Sequence, residues 1–258
     1  MKPYLFLHIP KTAGSSVAEV LPHGRSTIPD FFKNNKDNID LQLYGYNSPR
    51  HHYTPEQFNK VGLEIPDDVY RFAFVRNPWD RVVSMFHHWT NINSRFVKIK
   101  RKSGEVVEYR EKFPDSTFSS FVESTLHDAM QHGITEYKPV IRHDGENFDG
   151  VYAQPIKDCP FYYTINHGHF TPQVKYTHDR GGRQTVDFIG KYESLQEDVS
   201  KLISNLGGDP QSVSIPHVNQ SSRAKKHYRN YYEDGRGLAK ELVNEIYKDD
   251  IETYNYSF

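Results

Sequence analysis

Short, wholly apolar runs alternate along the chain with longer segments whose apolar residues recur at helical spacing. The run Tyr4-Leu5-Phe6-Leu7-His8-Ile9 predicts a strand over 4–9 buried on both faces. Residues 14–21 follow as a short helix. Residues 22–40, rich in Pro, Asn, Asp and Lys, read as loop, and Leu41 to Tyr46 as a further strand. Thr54-Pro55-Glu56-Gln57 carries a helix start, with Thr54 as cap, Pro55 at the first helical position and Gln57 at the third. Tyr70 to Val75 is the clearest second strand. Asn77-Pro78 then opens a helix in which Trp79, Val82, Val83, Phe86 and Trp89 share one face.

Residues 94–112 are basic and broken by Gly104. They read either as a solvated hairpin or loop, or as an arm that touches an acidic acceptor. A helix is expected over 117–127. Residues 128–182, rich in His, Gly and Pro, show no clear period; such an irregular insertion often carries specificity. Val186 to Tyr192 predicts a late strand, and Glu193 opens a helix to about Leu206, stopped by Gly207-Gly208. A last helix is expected from near Asp234, with Leu238, Leu242, Val243, Ile246, Tyr247 and Ile251 on its buried face. Repeated strand–turn–helix units predict an α/β fold with a parallel sheet, and with no repeat or linker the chain reads as one domain over 1–258.

Composition narrows the class. The chain has 258 residues, 36% hydrophobic and 25% charged, with a net charge of −1. No global field attracts nucleic acid or membrane, so an anionic partner must be held by local patches. One cysteine, Cys159, excludes an internal disulfide framework and fits a reducing compartment. No apolar run reaches the roughly 20 residues of a membrane span. A strand by Tyr4 leaves no room for a signal peptide, so a cytoplasmic protein, bacterial or viral, is expected.

The turn after the first strand, Pro10-Lys11-Thr12-Ala13-Gly14-Ser15-Ser16, places a cation and hydroxyls at a helix start, a setting for phosphate or sulfate. It is not a Walker A loop, since Lys11 precedes the glycine. After the second strand, Arg76 and, eight residues on, Ser84 supply a second anion clamp. Two such clamps at adjacent strand ends fit a ligand with two separated anionic groups, bound at the carboxyl ends of the strands. A structural ion-pair role for Arg76 is the alternative.

These residues carry a resemblance. His8-Ile9-Pro10-Lys11-Thr12-Ala13-Gly14-Ser15-Ser16 resembles the 5′-phosphosulfate loop of sulfotransferases, closest to the carbohydrate branch that includes heparan sulfate 2-O-sulfotransferase. Phe74 to Ser84 resembles that family's 3′-phosphate motif. Ile189 to Leu195, and Asn219-Gln220-Ser221-Ser222-Arg223 with Tyr228, Tyr231 and Tyr232, resemble later family segments. The likeness is weakest across 94–182, expected to be an acceptor-specificity insertion.

The resemblance implies a P-loop-like three-layer α/β fold whose mainly parallel central sheet is flanked by helices. It implies 3′-phosphoadenosine 5′-phosphosulfate as donor, a hydroxyl acceptor, most naturally a carbohydrate, and no metal. Lys11 would stabilise the leaving phosphate, with Thr12, Ala13, Gly14, Ser15 and Ser16 holding the 5′ end. Arg76 and Ser84 would hold the 3′-phosphate, and Arg223 would lie in a loop over the nucleotide. In this branch the base is a histidine between the two donor motifs. His52, followed by Thr54 and Glu56 as in the family's segment, is preferred over the alternative His51.

His87 and His88 read as structural. His167-Gly168-His169 lacks a third metal ligand, and His169 and Gln173 are candidates to line an acceptor pocket. A kinase and a catalytically silent nucleotide- or glycan-binding module are the competing readings. Magnesium dependence would favour the kinase, and binding without transfer the module.

Overall fold

The computed structural model describes residues 1–28, 52–60, 62–91, 95–100, 106–111, 117–123, 140–141, 151–152, 170–216, 226–233 and 237–258. In chain order the elements are β1 (Tyr4–Phe6), α1 (Gly14–Val20), α2 (Pro55–Lys60), β2 (Tyr70–Val75), α3 (Pro78–Asn91), β3 (Arg95–Lys100), β4 (Val106–Glu111), β5 (Val140–Ile141), β6 (Val151–Tyr152), α4 (Val174–Thr177), β7 (Phe188–Lys191), α5 (Leu195–Asn205), α6 (Leu238–Ile246) and α7 (Lys248–Tyr254). The expected strand over 41–46 lies outside the described residues.

β1, β2 and β7 form a parallel sheet in the order β1-β2-β7, with Phe6 beside Phe72 and Phe72 beside Phe188. The period-two geometry of a strand sorts its side chains into two cores. Tyr4, Phe6, Phe72 and Phe74 pack with Val17 and Leu21 after the first loop and with Val199, Leu202, Ile203 and Leu206 of the α5 region. Leu5, Leu7, Ala73 and Val75 pack on the other side with Tyr53, Phe58, Tyr176 and Tyr254. Both faces are covered, which is why these strands carry no polar alternation. The result is the sheet-and-flanking-helix α/β architecture expected from the sequence. Each large apolar side chain so buried stabilises the fold by about 1.5–3 kcal/mol.

A third cluster joins Trp79, Val82, Val83 and Met85 of α3 to Phe118, Phe121 and Val122 of the helical segment 118–123, and to Leu242 and Val243 of α6. The helix starts follow their sequence signals. The Asn77 side-chain oxygen accepts from the amides of Trp79 and Asp80 at 3.1 and 3.2 Å. Thr54 and Gln57 form a reciprocal capping box at 2.8 and 3.3 Å. The basic stretch is a hairpin of antiparallel β3 and β4, with Arg95 opposite Glu111.

Three expectations are corrected. The first strand pairs only over Tyr4–Phe6, and the chain after α1 returns along it, with an antiparallel bridge between Leu5 and Ser26. The C-terminal helix starts at Leu238, after Gly237 in the left-handed region at φ 71, and breaks at Tyr247 into α6 and α7. The break turns Asp250 fully inward. Leu238 is 39% exposed, because it is the first helical residue and faces away from the core. The end of the irregular stretch is core: Phe170, Thr171, Gln173, Tyr176 and Thr177 are all buried. Among the described residues no helix is long and apolar enough to cross a membrane.

Candidate active site

The carboxyl ends of β1, β2 and β7 open on one cavity of about 750 Å³. Of the residues singled out from the sequence, Lys11, Ala13, Gly14, Ser15, Ser16, His52, Arg76 and Ser84 all line it. His51 and Arg223 lie outside the described residues. Thr12 departs from expectation: it is fully buried, and its hydroxyl donates 2.9 Å to the Ile9 carbonyl. Its side chain therefore braces the loop from inside.

That loop is held against its own conformational cost. Lys11 and Ala13 both take the left-handed region, at φ 68 and 66, which costs a non-glycine residue about 1–3 kcal/mol where nothing compensates. Three carbonyls secure it. Ile9 is bonded by Thr12, Pro10 by Arg81 Nε at 3.1 Å, and Lys11 by Arg76 Nη1 at 3.1 Å. The carbonyl oxygens of Ile9, Pro10 and Lys11, which would repel an anion, are thus taken up by donors. Burial, and then the charge of Arg76, lower the Lys11 pKa to about 8.

Arg76 ties the first loop to the second. Its guanidinium donates from Nε to Asp80 at 2.8 Å and pairs from Nη2 with the same carboxylate at 2.7 Å. It stacks over the Tyr192 ring, 3.9 Å from the centroid. The backbone of Arg76 has left the sheet, yet its N–H and C=O are both satisfied by one side chain. Gln173 accepts from the Arg76 amide and donates to its carbonyl, each at 2.8 Å. Gln173 is in turn placed by Asp250, whose carboxylate accepts from the Gln173 and Val174 amides at 2.9 and 2.8 Å. Gln173 is therefore no acceptor-pocket residue: it is fully buried and substitutes for a neighbouring strand. The ion pair with Asp80 shows that the structural role weighed for Arg76 is real, and Arg76 lines the cavity as well.

His52 enters the same cavity from the segment before α2. Its backbone carbonyl accepts from the Tyr176 hydroxyl at 3.0 Å, and its Nδ1 donates to the His8 carbonyl at 3.0 Å. A carbonyl only accepts, so Nδ1 carries the ring proton and Nε2 the lone pair. Burial first, with the charges of Arg25 and Lys11, lowers its pKa to about 4 against the raising effect of the His8 carbonyl. The ring is neutral at pH 7, the form that accepts a proton.

Several residues of this site were not assigned to it from the sequence, and His88, read there as structural, is among them. His8, Asp80, His88, Tyr192 and Glu193 also line the cavity. Glu193 accepts from the Asn77 amide at 2.7 Å and from the Tyr256 hydroxyl at 3.1 Å, binding the third strand end to the second. His8 had a signal in its place at a strand end within the first motif. Gly14 is among the loop residues named from the sequence, but its packing role is visible only in three dimensions: a Cβ there would stand 1.9 Å from the His8 ring. His87 bears out its structural reading, with Nε2 2.6 Å from the Tyr231 hydroxyl.

A cavity at the carboxyl ends of parallel strands, holding two cations, three serines and a neutral imidazole, suits transfer of an anionic group. The sequence profile of the Sulfotransferase family matches residues 2–257. The chain belongs to the sulfotransferase family. An uncharacterized protein of Archaeoglobus fulgidus is 25% identical to this sulfotransferase over 150 residues, which are 58% of this chain and 77% of that one. No solved structure gives a significant match. Sulfuryl transfer is thus the general chemistry of the family, and this cavity is the candidate site for it. Its residues fit an anionic nucleotide donor, because cations and hydroxyls from both loops face one space.

Proposed function

We propose that the protein transfers the sulfuryl group of 3′-phosphoadenosine 5′-phosphosulfate to a hydroxyl, most naturally of a carbohydrate, with His52 as general base. The observation that carries this reading is the convergence of Lys11, Ser15, Ser16, Arg76, Ser84 and His52 on one cavity. The bound donor supplies the sulfuryl group and a phosphate oxygen as leaving group. Lys11 opposes the negative charge that develops on that oxygen. Ser15 and Ser16 hold the 5′ end with the loop amides, and Thr12 acts by keeping the loop in shape. Arg76 and Ser84 hold the 3′-phosphate, with Asp80 and Tyr192 fixing the guanidinium plane. His52 Nε2 takes the acceptor's proton as its oxygen attacks sulfur from the side opposite the leaving group.

His52 with a pKa of about 4 is a weak base in the unliganded protein. A polyanion seated beside Lys11 offsets the positive charge around the ring and raises its basicity when it is needed. The basic hairpin of β3 and β4 and the residues around Arg223 are the proposed contacts for an acidic sugar. The single cysteine fits a cytoplasmic setting. Labelled-sulfate transfer to a panel of glycans and small alcohols tests the activity. His52→Ala is expected to abolish transfer while leaving affinity for adenosine 3′,5′-bisphosphate within about twofold; a fully active variant removes His52 from the mechanism.

A further inference from the structure

Beside His52 lie the ring of His8 and the guanidinium of Arg25, 17 residues apart in sequence and in direct contact. Arg25 Nε donates to His8 Nδ1 at 3.2 Å. The return of the chain along β1 delivers it: the Phe6 amide donates to the Arg25 carbonyl at 2.8 Å, and the Thr27 amide to the Tyr4 carbonyl at 3.0 Å. A guanidinium has only donors and keeps its proton. His8 Nδ1 is therefore the acceptor, and the proton of the neutral His8 ring sits on Nε2.

His8 is tightly packed where it borders the cavity. It is 5% exposed. Phe6 stacks on it at 5.3 Å and 24°. Gly14 presses its edge so closely that no Cβ fits. The His52 ring lies 4.5 Å away, tilted by 47°. The backbone carbonyl of His8 is the same group that holds the His52 Nδ1 proton. One residue thus supplies two contacts that orient His52, its ring for the tilt and its carbonyl for the tautomer.

We propose that Arg25 and His8 form a positioning pair that locks His52 as the Nδ1–H tautomer with Nε2 directed to proton transfer. The pair acts through His52 and so rests on the reading of His52 as base. Among the described residues, the charged and titratable groups facing His52 include His8 from the end of β1, Arg25 from the returning segment and Lys11 from the first loop, while the Tyr176 hydroxyl of α4 binds its carbonyl. Arg25 and Lys11 both oppose protonation of the ring, in line with its lowered pKa.

The test is long-range proton–nitrogen NMR of the labelled full chain, which distinguishes histidine tautomers, with the His8 and His52 signals assigned from His8→Phe and His52→Ala. At neutral pH His52 is expected as Nδ1–H and His8 as Nε2–H. In Arg25→Gln the His8 signal becomes a mixture of tautomers and the His52 midpoint moves up in pH. A residue that merely fills space would move neither. If Arg25→Gln does not fold, Arg25→Lys keeps the charge but not the Nε contact, so the His8 tautomer mixes while the His52 midpoint stays near the wild-type value. An Nε2–H His52 in the wild type, or unchanged His8 and His52 signals in the folded variant, overturns the proposal. Sulfate transfer by His52→Ala reads the base assignment separately, so failure of the base and failure of the pair leave different records.

Discussion

Gln173→Met is the sharpest probe of how the site is built. Methionine matches glutamine in length, so the change leaves little cavity and removes the polar end alone. That end makes two hydrogen bonds of 2.8 Å to the amide and carbonyl of Arg76, in a side chain with no exposure. Each bond contributes a net ~1 kcal/mol, and each buried backbone group left without a partner costs about 1–3 kcal/mol. For two such groups the expected loss is about 2–6 kcal/mol of unfolding free energy, a large share of the 5–15 kcal/mol typical of a folded domain. Urea denaturation with an unchanged slope measures it. Because Arg76 is the residue released, affinity for adenosine 3′,5′-bisphosphate is expected to fall in the same variant, read by calorimetry. A stability change under about 0.5 kcal/mol, with only the acceptor's KM altered, would refute the reasoning and return Gln173 to the acceptor pocket.

Gly14→Ala places a methyl carbon 1.9 Å from His8; the expected cost is about 1–3 kcal/mol in denaturation, with turnover falling more than nucleotide affinity, and a neutral variant would show that His8 moves freely. Lys11, at a pKa of about 8 when unliganded, loses charge as pH rises through that value, whereas a bound polyanion favours its charged form. Binding of adenosine 3′,5′-bisphosphate at about pH 8.5 is therefore expected to take up protons, seen as a buffer-dependent binding enthalpy that Lys11→Met abolishes; the same enthalpy in every buffer for the wild type would contradict it. Ser84→Ala is expected to weaken adenosine 3′,5′-bisphosphate binding about 10–100-fold, the loss of one hydrogen bond to a charged group, and to spare adenosine 5′-phosphate; equal losses would argue against the 3′ role. Ser84 is preferred to Arg76 for this test because removing Arg76 also breaks its buried ion pair with Asp80 and confounds binding with stability.

The sequence by itself determined what depends on neighbours along the chain. Apolar runs buried on both faces marked β1, β2 and β7, while Gln57 three residues after Thr54 and Pro78 directly after Asn77 marked the two caps. The two anion-binding loops were legible for the same reason, since a strand, a turn and a helix start are contiguous. Tertiary structure alone decided which groups meet across long separations. Gln173 reaches Arg76 over 97 residues, Asp250 reaches Gln173 over 77, and His52 reaches His8 over 44. Such pairings leave no periodic trace, because a buried amide or carboxylate is fixed by whichever unpaired backbone group the fold brings beside it. The same holds for electrostatics. Lys11 owes its shifted pKa to burial and to Arg76, and His52 owes its own to burial, Arg25 and Lys11, an environment that exists only once the three strand ends have closed on one cavity.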